Sequence, residues 1–139
     1  MRIEELSRND FLETIHDINY RDDDIKEAIE FGCNGVFDCY RRAKHSFAKY
    51  YIIYENDRPI VSVMLQRDGH IIFFIDKVVH HPLRLVKKLK RFARTTAQHR
   101  GTIITKTASW YNEALHLNRL TGFKPWKVYN KYGFYIVEE

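Results

Sequence analysis

The sequence predicts an α+β domain with three layers, in which a mixed, mainly antiparallel twisted sheet of about six to seven strands is flanked by helices. Three observations predict this class. Helical patterns fill roughly the first third of the chain, three strand-like runs follow one another, and a helix, a strand, a helix and a two-strand hairpin close the chain. With 139 residues and 45% hydrophobic content, the chain has the size of one domain. We therefore expect a single domain over residues 1–139.

The N-terminal third begins with a predicted strand at residues 2–6. Ser7 is a candidate cap for a following helix, because its hydroxyl can accept a hydrogen bond from a first-turn amide. Three consecutive aspartates, residues 22–24, favour the start of a second helix, which Gly32 is predicted to end. A third helix is predicted over residues 36–46.

The middle of the chain is rich in β-branched and aromatic residues and predicts three strands, at residues 48–54, 60–65 and 70–79. Turn residues at 55–59 and an Asp-Gly pair at 68–69 separate them. The three strands should form an antiparallel meander. Their tyrosines and phenylalanines fit core and rim packing, although aromatic rings beside lysines would also suit single-stranded nucleic acid.

The C-terminal part begins with Pro82, which is predicted to open a long helix to about residue 99. One stripe of this helix is apolar, at Val86, Leu89, Ala93 and Ala97. Gly101 ends the helix, and the chain continues with a strand at 102–107, a short helix closed by Gly122, and a hairpin of strands at 123–130 and 132–137.

Charge divides the chain sharply. Residues 1–40 hold eleven acids and four bases, a net of −7, whereas residues 41–139 hold seven acids and nineteen bases, a net of +12. No acidic side chain lies between Asp76 and Glu113. The basic part could steer an anionic partner, or the acidic part could neutralise it within the molecule.

The cysteine spacing and the hydropathy pattern argue against a structural zinc site and against a membrane-spanning helix. Cys33 and Cys39 lack the spacing of a zinc site, and we expect reduced, partly buried thiols. No apolar run approaches the roughly 20 residues of a membrane-spanning helix. The chain is therefore expected to be an intracellular, cytoplasmic protein without a membrane span.

The stretch from Ser109 to Phe123 carries a family resemblance. A strand, a helix ending in Leu-x-x-x-x-Gly-Phe and a closing hairpin resemble the C-terminal half of the GCN5-related N-acetyltransferase (GNAT) fold, and the element order matches that fold over nearly the whole chain. The family helix commonly reads Asn-x-x-Ala-x-x-Leu-Tyr-x-x-x-Gly-Phe. Ala114, Leu117, Gly122 and Phe123 match it, whereas Tyr111 falls at the asparagine.

Two departures from the family pattern concern chemistry. The tyrosine with which relatives often protonate the leaving thiolate aligns with Asn118, which has no acidic proton to give. Relatives also carry a glycine-rich loop that binds the acyl-CoA pyrophosphate through backbone amides. Here no glycine lies between Gly69 and Gly101, and Pro82 lacks an N–H.

The resemblance implies candidate residues for acyl transfer. A cofactor would contact the strand end at Val78 and Val79, and Arg84, Lys87 and Lys88 could hold an anion by side-chain charge or form only a solvated helix face. Asn118 would lie at the same site. These cofactor-binding candidates are Val78, Val79, Arg84, Lys87, Lys88 and Asn118.

Asp76 is the candidate general base, because it is the only carboxylate on the predicted fourth strand and has apolar neighbours. It could equally pair with Lys77 or another basic side chain. His80 and His81 point to opposite sides of an extended strand, so we expect surface positions and no metal site.

Three functions follow as hypotheses. The first is an acetyltransferase-like protein with a degenerate cofactor loop that binds no cofactor and acts as a structural or interaction protein; its arrangement looks like the acetyltransferase-like internal virion proteins of short-tailed bacteriophages. That resemblance implies a phage or host protein partner and a place in the cytoplasm or a phage particle. The second is an active acetyl-CoA-dependent N-acetyltransferase. The third is a nucleic-acid-binding accessory protein that uses the basic helix 84–100, through Lys87, Lys88, Arg91 and Arg94.

Overall fold

The structure is a computed structural model that describes residues 1–138, and Glu139, the last residue of the predicted domain, lies outside the described residues. Across this range the predicted order of elements is confirmed. The helices and strands are β1 (Arg2–Leu6), α1 (Arg8–Thr14), a 3-10 turn (Ile15–Asp17), α2 (Asp22–Glu30), α3 (Val36–Arg42), β2 (Lys49–Glu55), β3 (Arg58–Leu65), β4 (Ile71–Ile75), α4 (Pro82–Arg100), β5 (Ile103–Ala108), α5 (Asn112–Leu120), β6 (Lys124–Val128) and β7 (Tyr132–Val137).

By its internal contacts the chain divides into two compact units. The first unit comprises Met1–Asp68 and Ile72–His80, and the second comprises Gly69–Ile71 and the chain from His81 onward. A single domain over residues 1–139 stays a prediction. No helix in the described range is long and apolar enough to cross a membrane.

The first unit contains the sheet β1-β2-β3-β4, in which β1 and β3 each pair antiparallel with β2. The predicted succession of three neighbouring strands is thus confirmed. Asn56 and Asp57 turn the chain between β2 and β3 with φ angles of 50° and 64°. These positive angles are those that a two-residue hairpin turn requires, and Asn and Asp tolerate them well.

Aromatic rings fill the core of the first unit. Phe11 of α1 lies edge-on to Tyr40 of α3 at 5.0 Å, and Tyr40 lies edge-on to Phe74 of β4 at 5.5 Å. Tyr50 is buried in the same cluster. Such edge-to-face pairs add to the burial of the rings themselves, so these tyrosines and phenylalanines form the core and offer no open platform.

Local signals set the helix ends in the first unit. The Ser7 hydroxyl accepts a hydrogen bond from the backbone N–H of Asp10 at 3.2 Å, which confirms the predicted cap. At the end of α2, Gly32 has φ 93° and donates its N–H to Ile29, while Cys33 donates to Ala28. This is a Schellman motif. The prediction for α3 was too long, because the helix ends at Arg42 rather than residue 46.

The second unit contains the sheet β5-β7-β6, in which β7 pairs antiparallel with both neighbours. Helix α4 packs against β5, β7 and α5. Its predicted apolar stripe is confirmed at Leu89, Ala93 and Ala97, with Leu85 rather than Val86 as the buried first member. The short helix α5 ends as its sequence predicts: Gly122 has φ 96°, and Phe123 donates its N–H to the carbonyl of Asn118 at 2.8 Å.

Candidate functional site

Asp76 follows β4 directly instead of lying on it. The strand ends at Ile75, and Asp76 forms an isolated antiparallel bridge with Tyr20, so the predicted strand to residue 79 was too long. The carboxylate is 4% exposed. It accepts the backbone N–H of Asn19 at 2.9 Å and that of Val78 at 2.8 Å, and it pairs with Arg58 at 3.3 Å. Both carboxylate oxygens therefore already hold donors from the first unit.

From sequence, Asp76 was expected to act as a base or to pair with Lys77 or another basic side chain, and of these two partners Lys77 pairs elsewhere. Its Nζ lies 3.2 Å from the carboxylate of Asp22 at the start of α2. The cation that pairs with Asp76 is Arg58, at the start of β3.

The chain after Asp76 is held by two further side chains. Glu55, at the end of β2 and 3% exposed, accepts the backbone N–H of His80 at 2.9 Å. Arg58 donates to the carbonyl of Val78 at 2.6 Å and pairs with Glu55 at 3.4 Å. The Val78 side chain is 51% exposed, but its N–H and carbonyl are both engaged. The backbone amides of Val78 and His80 thus bind carboxylates of this chain itself.

The start of α4, in the second unit, follows without a glycine. His81 is the N-cap residue with φ −125°, its side chain makes no capping hydrogen bond to the first turn, and Pro82 begins the helix. Among the described residues, every position with positive φ lies outside residues 70–100. An anion-binding nest of successive amides needs such a left-handed residue, so this stretch forms none.

The cationic candidates lie on successive turns of α4. Arg84, Lys87, Arg91 and Arg94 are exposed, and Lys88 is half-buried. The spacing of three and four residues places Arg84, Lys87 and Lys88 beside one another on the helix surface. The structure therefore brings these three side chains together, within the second unit.

Asn118 lies in the interior of the second unit and is 1% exposed. Its Nδ2 donates to Oγ1 of Thr107 on β5 at 2.9 Å. Its Oδ1 is buried and has no hydrogen-bond partner among the residues described. An amide has no acidic proton, so this side chain can order the fold but cannot protonate a leaving group.

A buried hydroxyl network joins helix and sheet in the first unit. Ser62 of β3 is fully buried; its Oγ accepts from Tyr20 Oη at 2.9 Å and lies 2.7 Å from Tyr40 Oη. Burial raises the pKa of Tyr20, and complete burial raises the pKa of Tyr40 well above its usual value. Both rings therefore remain neutral and serve as hydrogen-bonding core residues.

The cysteines and the adjacent histidines are the residues whose metal binding was considered from sequence. Cys33 and Cys39 are half-buried free thiols, and burial together with the neighbouring Cys33 raises the pKa of Cys39. His80 and His81 are exposed, as expected. Within residues 1–138 no group of three or more histidine, cysteine and acidic side chains is placed to hold a metal ion.

Sequence reasoning missed Glu55, Arg58 and Asp24. Asp24 is 2% exposed, pairs with Arg21 at 2.9 Å and accepts the backbone N–H of Ile75 at 3.1 Å. From sequence, Glu55 and Arg58 were assigned to the predicted turn at residues 55–59, and Asp24 was one of three aspartates at a helix start. The available signal was the position of these residues next to buried strands and at a helix start. Such a position does not reveal a partner 18 or more residues away.

Comparison with known proteins finds similarity in structure alone. No family model matches the chain, and no curated protein sequence matches it. A chimera of spermidine N-acetyltransferase SpeG from Vibrio cholerae and hSSAT is 13% identical, with 99% of this chain and 94% of that chain covered and a TM-score of 0.65. The GNAT domain of S. lividans PAT is 11% identical, with 99% and 90% covered and a TM-score of 0.72.

A further solved structure agrees. An acetyltransferase of the GNAT family from Bacillus anthracis is 11% identical, with coverage of 98% and 93% and a TM-score of 0.65. At such low identity the likeness concerns the fold. The chain has the GNAT fold: an α+β arrangement with five helices and antiparallel sheets of four and three strands in the described range.

Proposed function

We propose that this chain is a GNAT-fold protein that does not catalyse acyl transfer and that works through its surface, as a structural or interaction protein of bacteriophage type. The observation that carries the proposal is the hydrogen bonding of the backbone amides at residues 78–80. The amides of Val78 and His80 are bound to the carboxylates of Asp76 and Glu55, where an acyl-CoA-binding relative would need free backbone donors.

The residues present do not fit the pyrophosphate of acetyl-CoA. A pyrophosphate nest needs several amides that converge on the anion, and close approach usually requires glycine. Pro82 lacks an N–H, and every described residue with positive φ lies outside residues 70–100. Hence no step through acetyl-CoA follows from this arrangement.

The two residues considered as general base and general acid, Asp76 and Asn118, are also poorly suited to acyl transfer. The oxygens of Asp76 hold two amides and an arginine, which leaves little capacity to accept a substrate proton. Asn118 has no proton to donate and is buried against Thr107. One fold can serve many functions, so a GNAT fold does not require acyltransferase chemistry. The lack of suitable acid, base and cofactor donors supports a protein that acts by binding.

The bacteriophage part of the proposal rests on architecture. The arrangement of this chain resembles that of the acetyltransferase-like internal virion proteins of short-tailed phages. The shared features are an acidic helical first third, a glycine-free basic helix and a hairpin anchored at Gly122. The expected partner is a phage or host protein, and the expected place is the cytoplasm or the phage particle.

An active N-acetyltransferase is the second candidate, because the similar solved structures include a spermidine N-acetyltransferase chimera with a TM-score of 0.65. In that case the exposed Arg84 and Lys87 and the half-buried Lys88 would hold the anion in place of amides. Nucleic-acid binding through the same helix, with Arg91 and Arg94, stays a prediction based on charge.

Thermal melting with acetyl-CoA separates the first two candidates. A ligand at 100 times its Kd stabilises a folded protein by about 2.7 kcal/mol, which raises the Tm by several degrees. We expect no shift with acetyl-CoA beyond that produced by equimolar inorganic phosphate, while the Vibrio cholerae enzyme serves as the positive control. A shift specific to acetyl-CoA that the Arg84→Ala and Lys87→Ala variants lose would refute the proposal in favour of the active enzyme.

A further inference from the structure

One face of the sheet β5-β7-β6 carries rings and cations in alternation. Phe134 at the centre of β7 is directly opposite Lys106 of β5 on one side and Lys127 of β6 on the other. Side chains that are directly opposite across a ladder share a face. The other face is covered, since Thr107, the neighbour of Lys106, bonds Asn118 of α5. The lysine-bearing face is therefore opposite the face that α5 covers.

A row of four rings runs along this face. Tyr129 lies 5.3 Å from Tyr132, Tyr132 lies 5.7 Å from Phe134, and Phe134 lies 6.0 Å from His70, all measured between ring centroids. Lys106 Nζ lies 4.5 Å from the centroid of the Tyr132 ring. Cations and π-faces therefore occupy the same surface.

The row is accessible and lies in positive surroundings. Tyr129 is 52% exposed, and Tyr132, Phe134 and His70 are half-buried. Three lysines on the same surface are exposed: Lys106, Lys124 and Lys127. The sequence has no acidic residue from 114 to 137, so no carboxylate of α5 after its first turn, of β6 or of β7 offsets these charges.

The free edge of the sheet is poorly suited to a protein strand. β6 pairs with β7 and is the last strand in the order. Pro125 lacks an N–H, and the ladder is irregular between Pro125 and Lys127, with Trp126 left unpaired. Proline, lysines and a bulge are devices that protect an edge from strand addition. An occupant of this surface would contact side chains rather than extend the sheet.

We infer that this face binds single-stranded nucleic acid, with bases stacked on the ring row and phosphates held by the lysines. A strand of nucleic acid combines planar apolar bases with one negative charge per nucleotide, and this pattern matches the alternation of Lys106, Phe134 and Lys127. The inference goes beyond the proposed function, and it concerns a different surface from the basic helix α4. It holds whether or not the chain binds acetyl-CoA.

Fluorescence anisotropy with labelled oligo(dT) of about 15 nucleotides tests the inference, because site sizes on comparable platforms are roughly 4–16 nucleotides. We expect binding at low salt that weakens as salt rises, and weaker binding of a duplex of equal length. Oligo(U) in parallel distinguishes RNA from DNA as the source of the strand. The double variant Lys106→Glu with Lys127→Glu should raise the Kd at least tenfold and flatten the salt slope by about 1.4, since each lost phosphate contact removes about 0.7.

Matched variants separate the contribution of base stacking, and of this particular face, from a general effect of positive charge. Tyr129→Ala should weaken binding about five- to hundredfold, and Tyr129→Phe should retain it. Lys87→Glu with Arg91→Glu changes the net charge equally on α4 and should have a much smaller effect. Circular dichroism confirms that each variant is folded. Three results would overturn the inference. The two charge-reversal pairs could weaken binding of the single strand equally, the protein could prefer the duplex, or it could bind poly-glutamate, a model of an acidic protein segment, as well as the single strand.

Discussion

The carboxylate of Glu55 accepts a hydrogen bond from the backbone N–H of His80 at 2.9 Å, although 25 residues separate them in the chain. Together with Arg58, this contact fixes the chain that leaves β4. Glu55→Ala should cost about 2 kcal/mol, because it leaves the part-buried amide of His80 without its acceptor and removes one of the acceptors of Arg58, which keeps Asp76 and the carbonyl of Val78.

Urea unfolding measures this cost. Glu4→Ala provides the control, since the exposed pair of Glu4 with Arg2 should change stability by less than about 1 kcal/mol. If the two variants lose equal stability, Glu55 does not hold the chain as described.

The stability of the protein should fall in alkaline solution because of Tyr20 and Tyr40. Burial raises the pKa of both phenols above the ordinary value of 10.0, so the folded state keeps protons that the unfolded chain releases. Their contribution is complete below the unfolded pKa and is lost as pH rises towards the folded pKa. Each tyrosine should therefore lower the free energy of unfolding by about 1.4 kcal/mol per pH unit above about pH 10.5.

Urea titrations at successive pH values measure this slope. Tyr20→Phe and Tyr40→Phe should each reduce it, and the double variant should remove most of it. A slope that is the same in the double variant and the natural chain would assign the alkaline effect to other groups.

The Asn118 side chain should be dispensable when Thr107 is changed with it. Nδ2 of Asn118 bonds Thr107, and Oδ1 is buried without a partner among the described residues. Asn118→Leu with Thr107→Val removes both polar groups at similar volume, so unfolding free energy should change by less than about 1 kcal/mol or rise. Asn118→Asp should instead cost about 3 kcal/mol or more, because it buries a charge. A loss above about 2 kcal/mol in the double variant would mean that Oδ1 has a partner.

Two glycines with similar φ should differ in their tolerance of a methyl group. Gly122 has φ 96° with open space at its Cβ position, whereas a Cβ on Gly69, with φ 94°, would lie 2.8 Å from the carbonyl oxygen of Thr102. Gly122→Ala should cost about 1 kcal/mol from backbone strain, and Gly69→Ala about 2–4 kcal/mol because a backbone atom must also move. Thermal unfolding of both variants checks the order, and equal costs would contradict it.

Much of the fold was predictable because its signals are local. Ser7 caps α1 by accepting the N–H of the residue three positions later. Gly32 and Gly122 each end a helix at a turn whose backbone hydrogen bonds join residues no more than five positions apart. Alternating and β-branched residues mark the strands in the same local way. The element order follows from these signals.

The candidate site was less predictable because its contacts are distant in sequence. Asp76 was singled out from sequence as an acid with apolar neighbours, but its bonds to Asn19 and Arg58 depend on the fold. The burial of Asn118 depends likewise on Thr107, eleven residues away on β5. The end of β4 at Ile75 was missed because Val78 and Val79 have strand propensity, whereas the side chains of Asp76, Glu55 and Arg58 hold the backbone there in another conformation.

Amide exchange at Val78 and His80, followed by NMR, tests the central claim most directly. If Asp76 and Glu55 occupy these amides, both protons exchange slowly in the free protein, and addition of 1 mM acetyl-CoA changes neither their exchange rates nor their chemical shifts. Rapid exchange in the free protein, followed by protection and shifted resonances with acetyl-CoA, would show that these amides are cofactor donors and would contradict the claim.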